Sequence, residues 1–197
     1  MNETKDRLCG ARIGCVMTGS FCTFKEVFAA WRSLKETGAD LIPIMSFNAA
    51  KLDTRFYPAK EAVGIFEDIC EKKILNSIAE VEPIGPKKLL DLLIVAPCTG
   101  NTLAKIANGI TDTPAALAVK SHLRNARPVL IAVSTNDGLS MSAKNIGLLL
   151  NSKNIYFVPF GQDDSEKKPR SLVADMDKIL PTLSSAMAGR QIQPMLI

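Results

Sequence analysis

Small hydroxyl, amide and glycine residues recur directly after apolar runs in this chain. Such groups can hold an anion without a metal. The fullest instance is Cys98-Thr99-Gly100-Asn101-Thr102, which follows Leu92-Leu93-Ile94-Val95-Ala96 and Pro97. A helical pattern through Leu103, Ile106 and Ala107 comes next, and Asn108-Gly109 closes it. Gly19-Ser20 follows an apolar run at 12–18, Ser46 follows one at 40–45, and Ser134-Thr135-Asn136-Asp137-Gly138 follows one at 128–133. Free N–H groups at a helix start, with hydroxyls beside them, suit an anionic group, most often phosphate. Gly19-Ser20 offers a second cradle of that kind. The same residues also suit ordinary strand–loop–helix connections, with Thr99 or Asn101 as an N-cap and Gly19 serving only the turn. Local physics leaves both readings open.

Composition narrows the chemistry. The chain has one histidine, His122, so a histidine base has one candidate. His122 sits near the end of a helical pattern, where a positive side chain favours the helix dipole, and it reads as structural. The five cysteines, Cys9, Cys15, Cys22, Cys70 and Cys98, form no CxxC pair. They are expected as free thiols, with neither a metal site nor a disulfide framework. A net charge of +4 with dispersed basic residues permits an acidic substrate and gives no case for nucleic acid. No apolar run approaches the roughly 20 residues of a membrane span. The polar N-terminus lacks a signal peptide, so the expectation is a cytoplasmic protein without membrane contact.

The 197 residues are 47% hydrophobic, which suits one packed domain over 1–197. Apolar runs too short for helices alternate with helical patterns, the order expected of an α/β fold with a parallel sheet. Pro97 is expected to end the central strand. Phe24, Val27, Phe28, Trp31 and Leu34 share one face of a helix at 23–36 and read as core. Residues 47–58 have no period and read as a long loop carrying Lys51 and Arg55. Helices are expected at 59–75, at 113–123 with Asp112 as N-cap, and at 142–150. A short strand is expected at 155–158, then a lid-like polar loop at 159–169, a helix at 171–187 and a poorly ordered tail at 189–197. In a parallel sheet the polar loops share one edge, where ligands bind.

Gly19-Ser20 after the first strand, PCTGNT at 97–102, AKIANGITD at 104–112 and VSTN at 133–136 carry a resemblance. They resemble the flavoprotein superfamily of homo-oligomeric FMN-binding Cys decarboxylases and flavin prenyltransferases. Its members carry PASANT or PCSMKT followed by AKIA, and later PAMN. The resemblance covers almost the whole chain. It implies a three-layer flavodoxin-like α/β sandwich, with a parallel sheet and helices on both faces. It also implies trimers or multiples of trimers, with FMN near the subunit interface. Gly19, Ser20, Ser46, Thr99 and Thr102 match positions that hold the phosphate and ribityl chain. Pro97 and Cys98 match the lining of the isoalloxazine pocket. Asn101 and Asn136 match polar residues near flavin and substrate and are the catalytic candidates.

This chain departs from the superfamily's decarboxylases in lacking their histidine after an early strand and in having Thr135 where they have methionine. Both departures favour another reaction. Further segments, EPIGP, KSHLRN-x-RP, STND and FVPFGQD before KP, are similar to a branch found in spore-forming bacteria. That resemblance implies one half of a two-component oxidoreductase in the mother-cell cytoplasm. Its A subunit supplies NAD(P), for which this chain has no GxGxxG. Together the two oxidise a dihydrodipicolinate to the aromatic dicarboxylate, dipicolinate. Arg55, Lys105 and Asn136 are candidates to hold the dicarboxylate. Two other classes stay open: an FMN-dependent cysteine decarboxylase, and a non-catalytic flavin-binding assembly subunit.

Overall fold

The structure, a computed structural model, describes residues 7–197. Four parallel strands form its centre: β1 (Arg12–Met17), β2 (Asp40–Met45), β3 (Leu92–Cys98) and β4 (Val129–Thr135). Every residue of β3 is buried, as a strand covered on both faces requires. Helices make the crossovers, α1 (Phe24–Lys35), α2 (Phe47–Lys51), α3 (Ala59–Cys70), α4 (Ile78–Val81), α5 (Gly100–Ala107), α6 (Pro114–Leu123) and α7 (Ala143–Leu150), and α8 (Ile179–Met187) follows the last strand. The aromatic stripe of α1 is core, and Trp31 stacks on Phe66 of α3 with centroids 6.4 Å apart. No helix among the described residues is long and apolar enough to cross a membrane.

With β5 (Ile155–Phe157), β6 (Phe160–Asp164) and β7 (Lys168–Ala174) the sheet has seven strands, six of them in the order β2-β1-β3-β4-β7-β6 and β5 off that path beside β4. β4 has two partners on one side. Its first half pairs in parallel with β5, and its end pairs antiparallel with β7. β6 completes a hairpin with β7. The sheet is therefore mostly parallel with an antiparallel extension. At the amino edge, Asp91 accepts from Arg12 Nη2 at 2.8 Å, Arg12 Nε at 3.1 Å and Arg127 Nη1 at 3.2 Å. The Arg12 guanidinium holds the Asp91 carboxyl below its usual range.

Several expectations need correction. Pro97 does not end β3: its peptide with Ala96 is cis, and the strand resumes beside Val133 after a register shift. The loop at 47–58 begins with α2, capped by Ser46. α3 stops at Cys70, because Glu71 takes a left-handed φ of 56° and Leu75 returns to bridge Ile44. Thr113, not Asp112, caps α6 by accepting from Ala116 N.

The expected lid and the first turns of the expected last helix are the β6–β7 hairpin. Asp164 Oδ1 accepts from Glu166 N and Lys167 N and turns the chain between its strands. The tail is docked: Gln191 donates to Phe157 O at 2.7 Å and accepts from Phe157 N at 2.8 Å. Phe160 N donates to Met195 O.

His122 is structural, though not through a positive charge. Its Nε2 lies 3.1 Å from Pro128 O, which can only accept, so that nitrogen carries a proton. Burial pushes its pKa down to about 4. The unfolded chain takes up this proton nearer the ordinary histidine value of 6.5. The His122 contribution is thus present above about pH 6.5 and is lost towards about pH 4, with a range of about 3 kcal/mol. His122→Gln keeps a donor and removes the titration. Denaturant unfolding of both proteins should show wild type losing more stability between about pH 7.5 and about pH 4.5. Parallel losses would mean that the imidazole is not held neutral.

Candidate functional site

The carboxyl ends of β1, β3 and β4 open onto a cleft of about 1020 Å³. That is the upper end of the roughly 300–1,000 Å³ usual for small-molecule sites. Gly19 and Ser20 line it from the end of β1. Thr99, Gly100 and Asn101 line it from the start of α5, and Ser134 to Asp137 from the end of β4. Lys144 and Asn145 of α7, the hairpin residues Asp163 and Lys168, and Phe56 complete the walls. Asn101, Ala104 and Asn108 follow each other at helical spacing, so one face of α5 forms part of the wall.

Hydroxyl contacts join the three strand ends. Thr18 Oγ1, 1% exposed, donates to Pro97 O at 2.7 Å and accepts from Thr99 N at 3.0 Å. Thr99 Oγ1 caps α5 by accepting from Thr102 N. Ser20 Oγ and Ser134 Oγ lie 2.7 Å apart. The backbone N–H groups of Gly19, Phe21, Cys22, Gly100 and Asn101 have no partner among the described residues. These neutral donors can hold an anion.

Beyond β4, Asp137 Oδ1 accepts from Thr135 Oγ1 at 2.5 Å and Ser142 Oγ at 2.8 Å. A Cβ on Gly100 would lie within 2.7–2.8 Å of those same three oxygens, so this helix start approaches them only as glycine. Gly138 is constrained likewise: a Cβ there would sit 2.6 Å from the Leu172 side chain, where the hairpin packs against the loop.

Of the residues singled out from sequence, Gly19, Ser20, Thr99, Asn101 and Asn136 line the cleft together. The others lie outside its lining. Ser46 Oγ caps α2 through Ala49 N. Thr102 is buried in the α5 cap. Pro97 and Cys98 lie within β3, and burial pushes the Cys98 thiol up, so it stays protonated. Lys105 pairs with Asp112 at 2.7 Å and borders a separate groove between α5 and α6. Arg55 stacks over Phe56, 4.8 Å from the ring centroid.

Sequence reading did not single out Thr18, Asn108 or Asn145 as cleft residues, and it named Asp137 only as part of the polar loop after β4. Thr18 had a usable signal as a hydroxyl at the end of a buried run. Asn108 had one in its spacing from Asn101. Among the described residues no group of His, Cys, Asp and Glu gathers as a metal set.

Comparison with known proteins gives these features a family. The chain is 44% identical over 188 residues to the dipicolinate synthase B subunit of Bacillus subtilis (strain 168), covering 95% of this chain and 94% of that protein. The crystal structure of the dipicolinate synthase B subunit from Bacillus halodurans matches with a TM-score of 0.89 at 42% identity, over 96% of this chain and 97% of that one. The fold is accordingly the flavodoxin-like α/β sandwich, with helices on both faces. Burkholderia xenovorans DmrB in complex with FMN matches with a TM-score of 0.67 at 17% identity, over 90% of this chain and 96% of that one, a likeness of fold. The family model described as Flavoprotein matches residues 1–179, and the chain belongs to that family.

Proposed function

We propose that this chain is the flavin-binding subunit of a dipicolinate synthase, oxidising a dihydrodipicolinate to dipicolinate with a nicotinamide-bearing A subunit during sporulation. The observation that carries this reading is the near full-length agreement, in sequence and in trace, with dipicolinate synthase B subunits. The fold likeness to an FMN complex and the family match support flavin binding. The cleft's donors fit FMN. Unpaired N–H groups at Gly19, Phe21 and Cys22, beside the Ser20 and Ser134 hydroxyls, suit its phosphate. Asn101 and Asn136 can both donate and accept at the polar edges of a flavin ring. Bound there, FMN supplies a two-electron acceptor, a role that the partner's nicotinamide can share.

The reaction removes a hydride from one ring carbon and a proton from its neighbour. Of the two cleft carboxylates, Asp163 is paired with Lys168 at 2.6 Å. Among the described residues Asp137 has no cation partner, and no donor reaches its Oδ2. Asp137 Oδ2 receives the ring proton, while Thr135 and Ser142 fix the carboxylate through Oδ1. Asn136, next to it in the chain, orients the substrate. His122 does not line the cleft, which disfavours a histidine-dependent decarboxylation.

Three outcomes are expected. FMN should bind saturably, in competition with phosphate, and riboflavin should bind at least about tenfold more weakly. Equal affinities by fluorescence titration would sink the phosphate cradle.

Asp137→Asn keeps the Oδ1 acceptor. It should lower kcat by about 100-fold in the assembled enzyme with little change in melting temperature. Asn136→Ala should likewise cost turnover rather than stability. Unfolding in step with activity loss would make both residues structural.

The deciding experiment assays this chain, the A subunit and their mixture with dihydrodipicolinate and a nicotinamide. The mixture should exceed the sum of the separate rates. Repeated turnover by this chain alone would refute the shared electron path. An A subunit equally active by itself would make this chain an assembly subunit.

A further inference from the structure

The wall of the cleft formed by α5 and α7 differs in chemistry from the hydroxyl-lined β1 side. Asn145 is 4% exposed yet lines the cleft. Asn108 Nδ2 donates to Ala104 O at 2.7 Å, which fixes that amide's orientation. The same nitrogen faces Asn145 Oδ1 at 3.5 Å, so Asn145 is turned with its own Nδ2 away from Asn108. Asn145 Nδ2 has no partner among the described residues. It is not sealed in protein either: among those residues, the sealed side-chain donor without a partner is Trp31 Nε1. A nearly buried amide donor therefore opens into the cleft.

Two neighbours add positive character. Lys144 lines the cleft, and neither its ammonium nor its backbone N–H has a partner among the described residues. The other cleft lysine, Lys168, is held by Asp163. α7 is an eight-residue helix whose Ser142 gives its hydroxyl to Asp137 instead of capping the helix. The first-turn N–H groups of Ala143 and Asn145 are taken by Ser140 O and Ser142 O, so of that turn the Lys144 N–H is the one left open to a ligand.

We propose that Asn145, Lys144 and the start of α7 form a carboxylate subsite, separate from the phosphate cradle at Gly19-Ser20. The proposal rests on the dicarboxylate reading above and deepens it. One carboxylate of the planar ring takes the Asn145 Nδ2 donor and the charge of Lys144. The ring then lies between this wall and the end of β4, beside Asp137. Lys105, Arg55 and the histidine-free β1 loop are not needed to hold it.

The test uses pyridine-2,6-dicarboxylate, the stable product, titrated calorimetrically into the whole chain with FMN present and a chelator excluding metals. Asn145→Ala should weaken its binding by about tenfold, since a hydrogen bond to a charged group is lost. Lys144→Ala, at an exposed position that does not threaten folding, should weaken it several-fold and flatten its salt dependence. The FMN affinity of both variants should stay near that of wild type. Unchanged dicarboxylate binding in both variants overturns the subsite while leaving the function standing. Weakened FMN binding with unchanged dicarboxylate binding also overturns it, and makes this wall a phosphate site. A wild-type chain and A-subunit complex that bind no dicarboxylate overturn the functional reading itself.

Discussion

A single buried hydroxyl holds the ligand edge of this sheet together. Thr18 Oγ1 takes the Thr99 N–H and gives its proton to the Pro97 carbonyl, joining β1 to β3 where the ladder has shifted register. Without it, two backbone groups would be buried unpaired, which proteins rarely tolerate. The consequences spread outward. Thr99 is placed to cap α5, and the start of α5 sets which face turns Asn101 and Asn108 to the cleft. The residue after Thr18 begins the Gly19-Ser20 turn, whose hydroxyl reaches Ser134 at the end of β4. The three strand ends are thereby one hydrogen-bonded unit.

The two edges of the sheet solve the same problem with opposite chemistry. The amino edge is clamped by charge, with Asp91 between Arg12 and Arg127. The carboxyl edge is clamped by neutral hydroxyls. On the proposed FMN reading, an ionic clamp beside Gly19-Ser20 would place a carboxylate next to the phosphate, or commit a cation. Neutral donors leave the local charge to the ligand. The charged groups of the cleft lie away from Gly19-Ser20: Asp137 at the end of β4, and on the far wall Lys144, with no acidic partner among the described residues, and Lys168, paired with Asp163.

What was legible in the sequence follows from how local each signal is. The β1, β3 and β4 runs are continuous and apolar, so their burial, order and parallel pairing could be read directly. Ser20, Thr99, Asn101 and Asn136 follow from those strands, because a parallel sheet gathers its loops on one edge. The FMN assignment rests on family resemblance and not on composition. The surroundings of Asn145 and the contacts of Asp137 were hidden because other elements bring them: Asn108 from α5, Ser142 from the start of α7. The pairing of Lys105 with Asp112 was not legible because it is set by the turn after α5. The β6–β7 hairpin was illegible because its outward residues are charged and its ladder shifts near Asp164, erasing the alternation that marks a strand.

That hairpin changes how the cleft must work. A loose lid at 159–169 would have made Asp163 and Lys168 mobile, with closure gating access. Instead they stand on paired strands: β7 is laddered to the end of β4, and Gly138 is pressed against Leu172. The far edge is secured in turn by the tail, since the Gln191 amide imitates a strand neighbour for Phe157 and Met195 accepts from Phe160. The wall is therefore preorganised, and ligand binding need not order it at an entropic cost. Its position depends on a segment far from the cleft that contributes no group to it. The tail, expected to be poorly ordered, thus acts at one remove on the geometry of the charged wall.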